Sequence, residues 1–339
     1  MAYRTEIETF GVVGCGVVGA GWAARALGRG LDVVAWDLAP HAEETMRRAV
    51  DRAWPAVRKL GTYPGADPGR LRFVESIQDV GATADFIQES APENTALKQT
   101  LLAEIDSSTP LDVIIASSTS GLLISELAAN CADPERVLVG HPFNPVYLLP
   151  LCEVVGGQST ASDAIAAAMD VYDFLDMYPL HVRHEIDGHL ADRLQEAMWR
   201  EVLHIVTDGH ATTGQLDDSI IYGPGLRWAA KGTNLLFHLA GGQQGMRHML
   251  RHFGPALQLP WTKLEAPELT EELIAAMVEG TEAQAAGRSI DELEQLRDDY
   301  LIAVMKALRA VDIGAGRIFA KREARRFDHG ALRWREGDE

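Results

Sequence analysis

Residues 10–37 read FGVVGCGVVGAGWAARALGRGLDVVAWD. A short β-branched run, Phe10–Val13, leads into Gly14-Cys15-Gly16-Val17-Val18-Gly19, which fits G-x-G-x-x-G. A helical stretch, WAARALGRG, separates it from a second run, Asp32–Trp36. In a strand–turn–helix unit the first glycine permits the tight turn, the second lets a pyrophosphate approach the backbone, and the third lets helix and strand pack closely. Free N–H groups at the helix start then face the phosphates. Asp37 closes the second run, twenty-three residues after Gly14. A carboxylate there accepts from adenosine ribose hydroxyls and repels a 2′-phosphate, so the expected cofactor is NAD rather than NADP.

Working outward, the alternation continues. Strands are expected at Phe10–Val13, Asp32–Trp36, Asp85–Gln88, Asp112–Ala116, Val137–Gly140, Leu151–Val155 and Leu180–Val182, with helices in the longer gaps before Val137. That rhythm predicts an α/β fold, a Rossmann-type doubly wound and mostly parallel sheet. After Val137 about ten residues of Pro-rich loop are too few for a helical crossover, so the last strands should join differently, with an antiparallel pairing at one edge. From Asp187 strand signals vanish. Ala191, Leu194, Met198, Val202 and Ile205 follow helical spacing in a helix, amphipathic or fully buried, ending near Gly209, and more helical pattern runs from Leu269 to Leu308. The expected organisation is a Rossmann-like domain over 1–186, an all-helical substrate and dimerisation domain over 187–320, and a charged tail over 321–339.

Composition narrows the partners. The 339 residues carry 31 Lys and Arg against 49 Asp and Glu, a formal charge of −18, which disfavours nucleic acid and anionic membrane surfaces. Cys15, Cys131 and Cys152 show neither CxxC spacing nor a nearby histidine pair, so no metal site is expected and the thiols should be reduced and buried. With no basic leader before a long apolar run and no stretch approaching a membrane span, a soluble cytoplasmic protein is expected.

The stretch HPFNPVYLLPLCEVVGG, residues 141–157, sets a histidine before a Pro-stiffened loop and returns a glutamate twelve residues later. An imidazole titrating near neutrality can take a hydroxyl proton while a hydride leaves the same carbon, and a carboxylate on its far nitrogen fixes the tautomer. A lone strand-end histidine is more often structural, but a glutamate between Cys152 and Val154 without a partner would be costly. Ser120 and Asn144 are candidate substrate contacts, although Ser and Asn in such loops also serve as turn formers.

Several stretches together carry a resemblance: GVVGCGVVGAGWAA near the N-terminus, ASSTSGL at 116–122, GHPFNPVYLLPLCEVVGG at 140–157 and IDGHLADRL at 186–194. Over about residues 8–240 the chain resembles the 3-hydroxyacyl-CoA dehydrogenase family. YGPGLRWAAKGT at 222–233 and HLAGG at 238–242 are similar to its branch acting on L-carnitine. The resemblance implies an NAD-dependent oxidation of a 3-hydroxyl group, with His141 and Glu153 as the acid–base pair and Ser120 on the substrate oxygen. It implies that Glu93 and Lys98 line the nicotinamide half of the cofactor site, that Ser118 stands where the family usually has Asn, and that the helical domain makes a homodimer. Short-chain 3-hydroxyacyl-CoA esters and L-gulonate are alternative substrates. A non-catalytic, crystallin-like NAD-binding protein is the alternative from another class, which an intact His141–Glu153 pair argues against.

Two positions bear on the substrate. Asp192 stands where acyl-CoA enzymes of the family have asparagine. It either adds negative potential beside a cationic substrate or pairs with Arg193 or another helix cation. Arg227 can grip a carboxylate bidentately or be structural. Phe143, Tyr147, Trp199, Tyr222, Trp228 and Trp261 are the aromatics near these motifs from which a cage for a quaternary ammonium could be drawn.

Overall fold

The structure of the protein is a computed structural model that describes residues 2–60, 62–228, 231–263 and 270–312. The expected charged tail at 321–339 lies outside the described residues. By internal packing the chain divides into two units, Met1–Glu196 and Ala197–Glu339.

The first unit runs β1 (Thr9–Val13), α1 (Val17–Gly28), β2 (Asp32–Trp36), α2 (Ala42–Leu60), β3 (Leu71–Phe73), α3 (Ile77–Thr83), β4 (Phe86–Glu89), α4 (Thr95–Ser108), β5 (Ile114–Ser117), α5 (Ile124–Leu127) and β6 (Val137–Pro142). It continues through β7 (Leu151–Gly156), α6 (Ser162–Phe174) and β8 (Tyr178–Val182). The eight strands form one sheet in the order β3-β2-β1-β4-β5-β6-β7-β8. β1 through β6 are parallel, β7 is antiparallel to β6, and β8 runs parallel to β7. Strand order reverses between β1 and β4, and that switch point opens a crevice at the strands' C-terminal ends.

Burial on both faces explains the sequence pattern. Every residue of β4, β5 and β6 is buried, which is why they read as continuous rather than alternating runs. On one face Phe10, Trp22, Phe86 and Tyr172 stack around one another with centroids 5.4–6.1 Å apart, joining β1 and β4 to α1 and α6. On the other, Ile87, Ile115 and Val139 pack with Val80, Leu102, Ile105 and Leu127. Gly140 leaves room for the Tyr172 hydroxyl, which a Cβ there would meet at 1.7 Å.

The sequence reading left out β3. Its three residues, LRF, carry a charge at the centre and are too few to show a period. β8 begins two residues earlier than expected and contains Pro179, tolerated because β8 is the last strand of the sheet.

α7 (Ala191–Thr207) leads into the second unit, where α8 (Thr213–Ile221), α9 (Pro224–Trp228), α10 (Thr233–Ala240), α11 (Gly245–Phe253), α12 (Glu271–Ala285) and α13 (Ile290–Ala310) follow. No residue of α7 is buried, so the alternative of a fully buried helix is corrected. The long helical pattern after 269 breaks where Ala286 and Gly287 take positive φ, and Ser289 with Glu292 then forms a capping box that starts α13. Leu239, Ala285, Ile290 and Leu293 form a small core among α10, α12 and α13.

Candidate active site

β6 and β7 make the central pair. Their register places His141 directly opposite Glu153, so both side chains leave the same face. His141 Nδ1 lies 3.0 Å from Glu153 Oε2, and both side chains are buried. With the carboxylate accepting from Nδ1–H, the imidazole keeps Nε2 as its basic nitrogen. The second oxygen of Glu153 accepts the backbone N–H groups of Leu190 and Ala191, each at 3.0 Å, where α7 begins. Burial pushes the Glu153 carboxyl upward. The bonds from His141, Ala191 and Leu190 outweigh that and hold it below the usual carboxylate range.

Nε2 of His141 faces Asp192, whose Oδ2 is 3.6 Å away. Burial raises the Asp192 carboxyl, with His141 opposing and Glu153 reinforcing the shift. Arg193 donates to the carbonyl of Asp187 at 3.2 Å. Phe143 lies edge-on to His141 with ring centroids 4.9 Å apart.

Ser120 sits in the turn after β5 with its side chain exposed. Glu93 holds that turn: one carboxylate oxygen accepts the Thr119 hydroxyl at 2.5 Å and the Ser120 N–H at 3.0 Å. His189, which the sequence reading missed, clamps it from the other side. Its Nε2 is 3.0 Å from the carbonyl of Thr119. A carbonyl only accepts, so His189 carries its proton on Nε2, and Nδ1 is buried with no hydrogen-bond partner among the described residues. Burial lowers the pKa of this imidazole, favouring the neutral form, and its ring lies 5.3 Å from that of His141. The signal in the sequence was only a histidine after glycine at a helix start, a pattern with many uses.

The cofactor side occupies the switch-point crevice. A cavity of about 620 Å³ is lined by Gly14, Gly16, Val17, Val18, Asp37 and Leu38, and by Ser90, Ala91 and Pro92 across the gap. A Cβ on Gly16 would meet nothing within 4 Å, whereas one on Gly19 would stand 1.9 Å from the Gly14 carbonyl and one on Gly14, at φ +96, 2.6 Å from the Ser90 backbone. Gly16 thus leaves open space for a ligand, and the other two glycines let the loops close on each other. No side chain caps the start of α1. Asp37 is pinned by the N–H of Cys15 at 2.6 Å and of Ala39 at 2.8 Å, one on each oxygen, and each oxygen retains acceptor capacity for a ribose hydroxyl. Open backbone at Gly16, an uncapped helix start and a positioned acid fit an adenine dinucleotide with a free 2′-hydroxyl.

Some expected cofactor residues act from behind this surface. Cys15 gives its N–H to Asp37, and its thiol is buried with its pKa pushed far up by desolvation. Lys98 is buried and donates to both oxygens of Glu89 at 2.9 and 3.0 Å and to the Ala91 carbonyl, so it shapes the 89–93 loop. Glu89, buried and also bonded to Ser117 at 2.6 Å, is the partner the sequence reading passed over. Ser118 accepts from Gln88 at 2.8 Å and Trp22 at 3.2 Å, and shares a bond with Ser90 at 2.9 Å.

Asn144 is exposed in the loop after β6. Arg227 lies on α9 of the second unit, as do Trp199, Tyr222, Trp228 and Trp261 on or near its helices. Tyr147 packs against the first unit's core and lines a different cavity with Arg25 and Tyr63. Among the described residues no cluster of His, Cys, Asp or Glu forms a metal site, and no helix is long and apolar enough to cross a membrane.

Comparison with known proteins matches residues 9–186 to the model of the 3-hydroxyacyl-CoA dehydrogenase NAD binding domain and residues 188–287 to that of the 3-hydroxyacyl-CoA dehydrogenase C-terminal domain. The chain is 60% identical to an L-carnitine dehydrogenase of Pseudomonas aeruginosa, over 95% of this chain and 100% of that one. It is 53% identical to an L-carnitine dehydrogenase of Bacillus cereus, over 92% and 96%. Among solved structures, an NAD+-dependent dismutase named 5-formyl-3-hydroxy-2-methylpyridine 4-carboxylic acid 5-dehydrogenase aligns with TM-score 0.71 at 29% identity, covering 89% of this chain and 99% of that one. The (S)-3-hydroxybutyryl-CoA dehydrogenase of Ralstonia eutropha aligns with TM-score 0.57 at 26% identity, covering 84% and 98%.

Proposed function

Because the chain belongs to the 3-hydroxyacyl-CoA dehydrogenase family, we propose that it is an NAD-dependent dehydrogenase oxidising the 3-hydroxyl of L-carnitine to 3-dehydrocarnitine, the substrate its curated relatives are named for. The observation that carries the reaction type is the buried His141–Glu153 pair aligned by the β6–β7 register. His141 Nε2 takes the hydroxyl proton, and Glu153 holds Nδ1–H and stabilises the imidazolium that results. Ser120 holds the substrate oxygen in line, its turn fixed by Glu93 and His189. NAD, when bound, supplies the acceptor for the hydride that leaves C3. Gly14, Gly16, Val17 and Val18 lie along its phosphates, and Asp37 takes the adenosine ribose. Arg227 engages the substrate carboxylate, for which a guanidinium fork is suited, and Asn144 contacts the substrate from the loop after β6.

The protein acts in the cytoplasm as a homodimer in this reading. Three free cysteines suit a reducing compartment. The uncovered apolar side chains of α7, among them Leu194, Trp199 and Leu203, suit a second subunit. Light scattering tests the dimer; a monomer at assay concentration would refute it.

The substrate is tested by following NADH formation with L-carnitine, D-carnitine, 3-hydroxybutyryl-CoA and L-gulonate side by side. L-carnitine should be turned over fastest. Turnover of the CoA ester or of L-gulonate with none of L-carnitine would overturn the assignment.

A further inference from the structure

Nε2 of His141 looks out at a carboxylate. Asp192 Oδ2 stands 3.6 Å from it, on the first turn of α7, and that turn is fixed to the dyad by the bonds from Leu190 and Ala191 to Glu153. The backbone at Asp192 is thereby tied to the same carboxylate that orients the base. The charged and titratable groups facing it are His141, Glu153, His189 and Glu196. Its ionic neighbour among the described residues is His141 itself.

A carboxylate in this place is a liability for most alcohol substrates. Once the proton has passed to Nε2, Asp192 attracts the imidazolium but repels the electron density left on the substrate oxygen. The cost disappears when the substrate brings a compensating positive charge. The reacting hydroxyl must lie about 3 Å from Nε2. A cationic centre two bonds of about 1.5 Å from the carbinol carbon therefore falls within roughly 4–6 Å of that nitrogen, within reach of the Asp192 oxygen that stands 3.6 Å from it.

We infer that Asp192 is the specificity-determining residue for charge, selecting 3-hydroxy substrates with a quaternary ammonium two bonds from the carbinol carbon over neutral substrates of the same shape. The inference rests on the reading that His141 takes the proton of a 3-hydroxyl. The cation binds beside the carboxylate that faces the imidazole. Phe143, edge-on to His141, adds an aromatic surface beside the same imidazole. An asparagine at this position would keep the shape and lose the discrimination.

The test compares L-carnitine with its carbon isostere of matching configuration, 3-hydroxy-5,5-dimethylhexanoate, in which a tert-butyl group replaces trimethylammonium. The wild type should favour carnitine in kcat/KM. Asp192→Asn should reduce that preference by about tenfold or more, mainly through the KM for carnitine. Asp192→Glu, which keeps the charge, should restore part of it, and NAD affinity measured by titration calorimetry checks that each variant is folded. An unchanged preference in a folded Asp192→Asn protein overturns the inference while leaving the proposed reaction standing. A wild type that oxidises neither compound overturns the proposed reaction and the inference with it.

Discussion

Glu153 and Ala191 are 38 residues apart in the chain and 3.0 Å apart in the fold, joined by a backbone N–H to a carboxylate oxygen. The other oxygen of Glu153 holds His141. One side chain thus orients the base and fixes the start of the helix that carries Asp192.

Removing that side chain should have two separable effects. Glu153→Gln should lower kcat by about 10²–10³-fold, because a neutral amide no longer stabilises the imidazolium. Glu153→Ala should in addition destabilise the fold by about 1–3 kcal/mol for each buried N–H it strands. Steady-state kinetics and urea unfolding of the two variants separate these effects. Equal stability of both would contradict the helix-start role.

The same carboxylate should be visible in acid. Its folded pKa lies below its ordinary value of 4.5, so its contribution to stability is fully present above 4.5 and is lost as the pH falls through the lower folded value. The stability difference between wild type and Glu153→Gln should therefore be largest near neutrality and shrink below pH 4.5. Urea midpoints across that range check this. A difference that grew on acidification would contradict the sign.

Asp37 should set both cofactor affinity and cofactor choice. Asp37→Ser should raise the Kd for NAD by about tenfold and narrow the gap to NADP, since a repelling carboxylate has been removed. Calorimetric titration of both cofactors measures the two values directly.

Gly19 tests the cradle without touching the chemistry. A methyl there would stand 1.9 Å from the Gly14 carbonyl, so Gly19→Ala must displace the loop from the helix. Loss of NAD binding should exceed that of Gly16→Ala, whose Cβ meets nothing within 4 Å in the protein. If bound phosphates approach Gly16 closely, its variant should also weaken binding, but without lowering the melting temperature.

His189→Phe should show whether the clamp on Thr119 matters. The ring volume is kept and the donor to the Thr119 carbonyl is lost, so the Ser120 turn loses one of its two fixings. We expect kcat to fall by about tenfold, with NAD affinity retained, since one neutral hydrogen bond is worth about 0.5–1.5 kcal/mol.

The strand–glycine–helix–strand–acid order of residues 10–37 was enough to place β1, α1, β2 and the cofactor crevice, because each element there has a local chemical signature. The antiparallel return of β7 was legible from loop length, since a Pro-rich span of that size cannot carry a crossover helix. β3 was not, because three residues have no period and its place is set by pairing with β2. The candidate site was legible where an unusual residue stands in an apolar setting, as at His141 and Glu153, which the fold brings into contact. It was illegible where a role arises from contacts distant in sequence. Glu89 takes its meaning from Lys98 and Ser117, His189 from Thr119, and Lys98 proves to be a buried loop support only once its three bonds are seen.

In the proposed reaction hydride leaves C3 of L-carnitine for NAD while His141 takes the hydroxyl proton. The measurement that tests it most directly supplies L-carnitine deuterated at C3 and follows the label by mass spectrometry, with wild type and His141→Ala compared. NADH formed by the wild type should carry the deuterium, and His141→Ala should bind NAD but form labelled NADH at least about 10²-fold more slowly. Unlabelled NADH, or an undiminished rate in the His141→Ala protein, would contradict it.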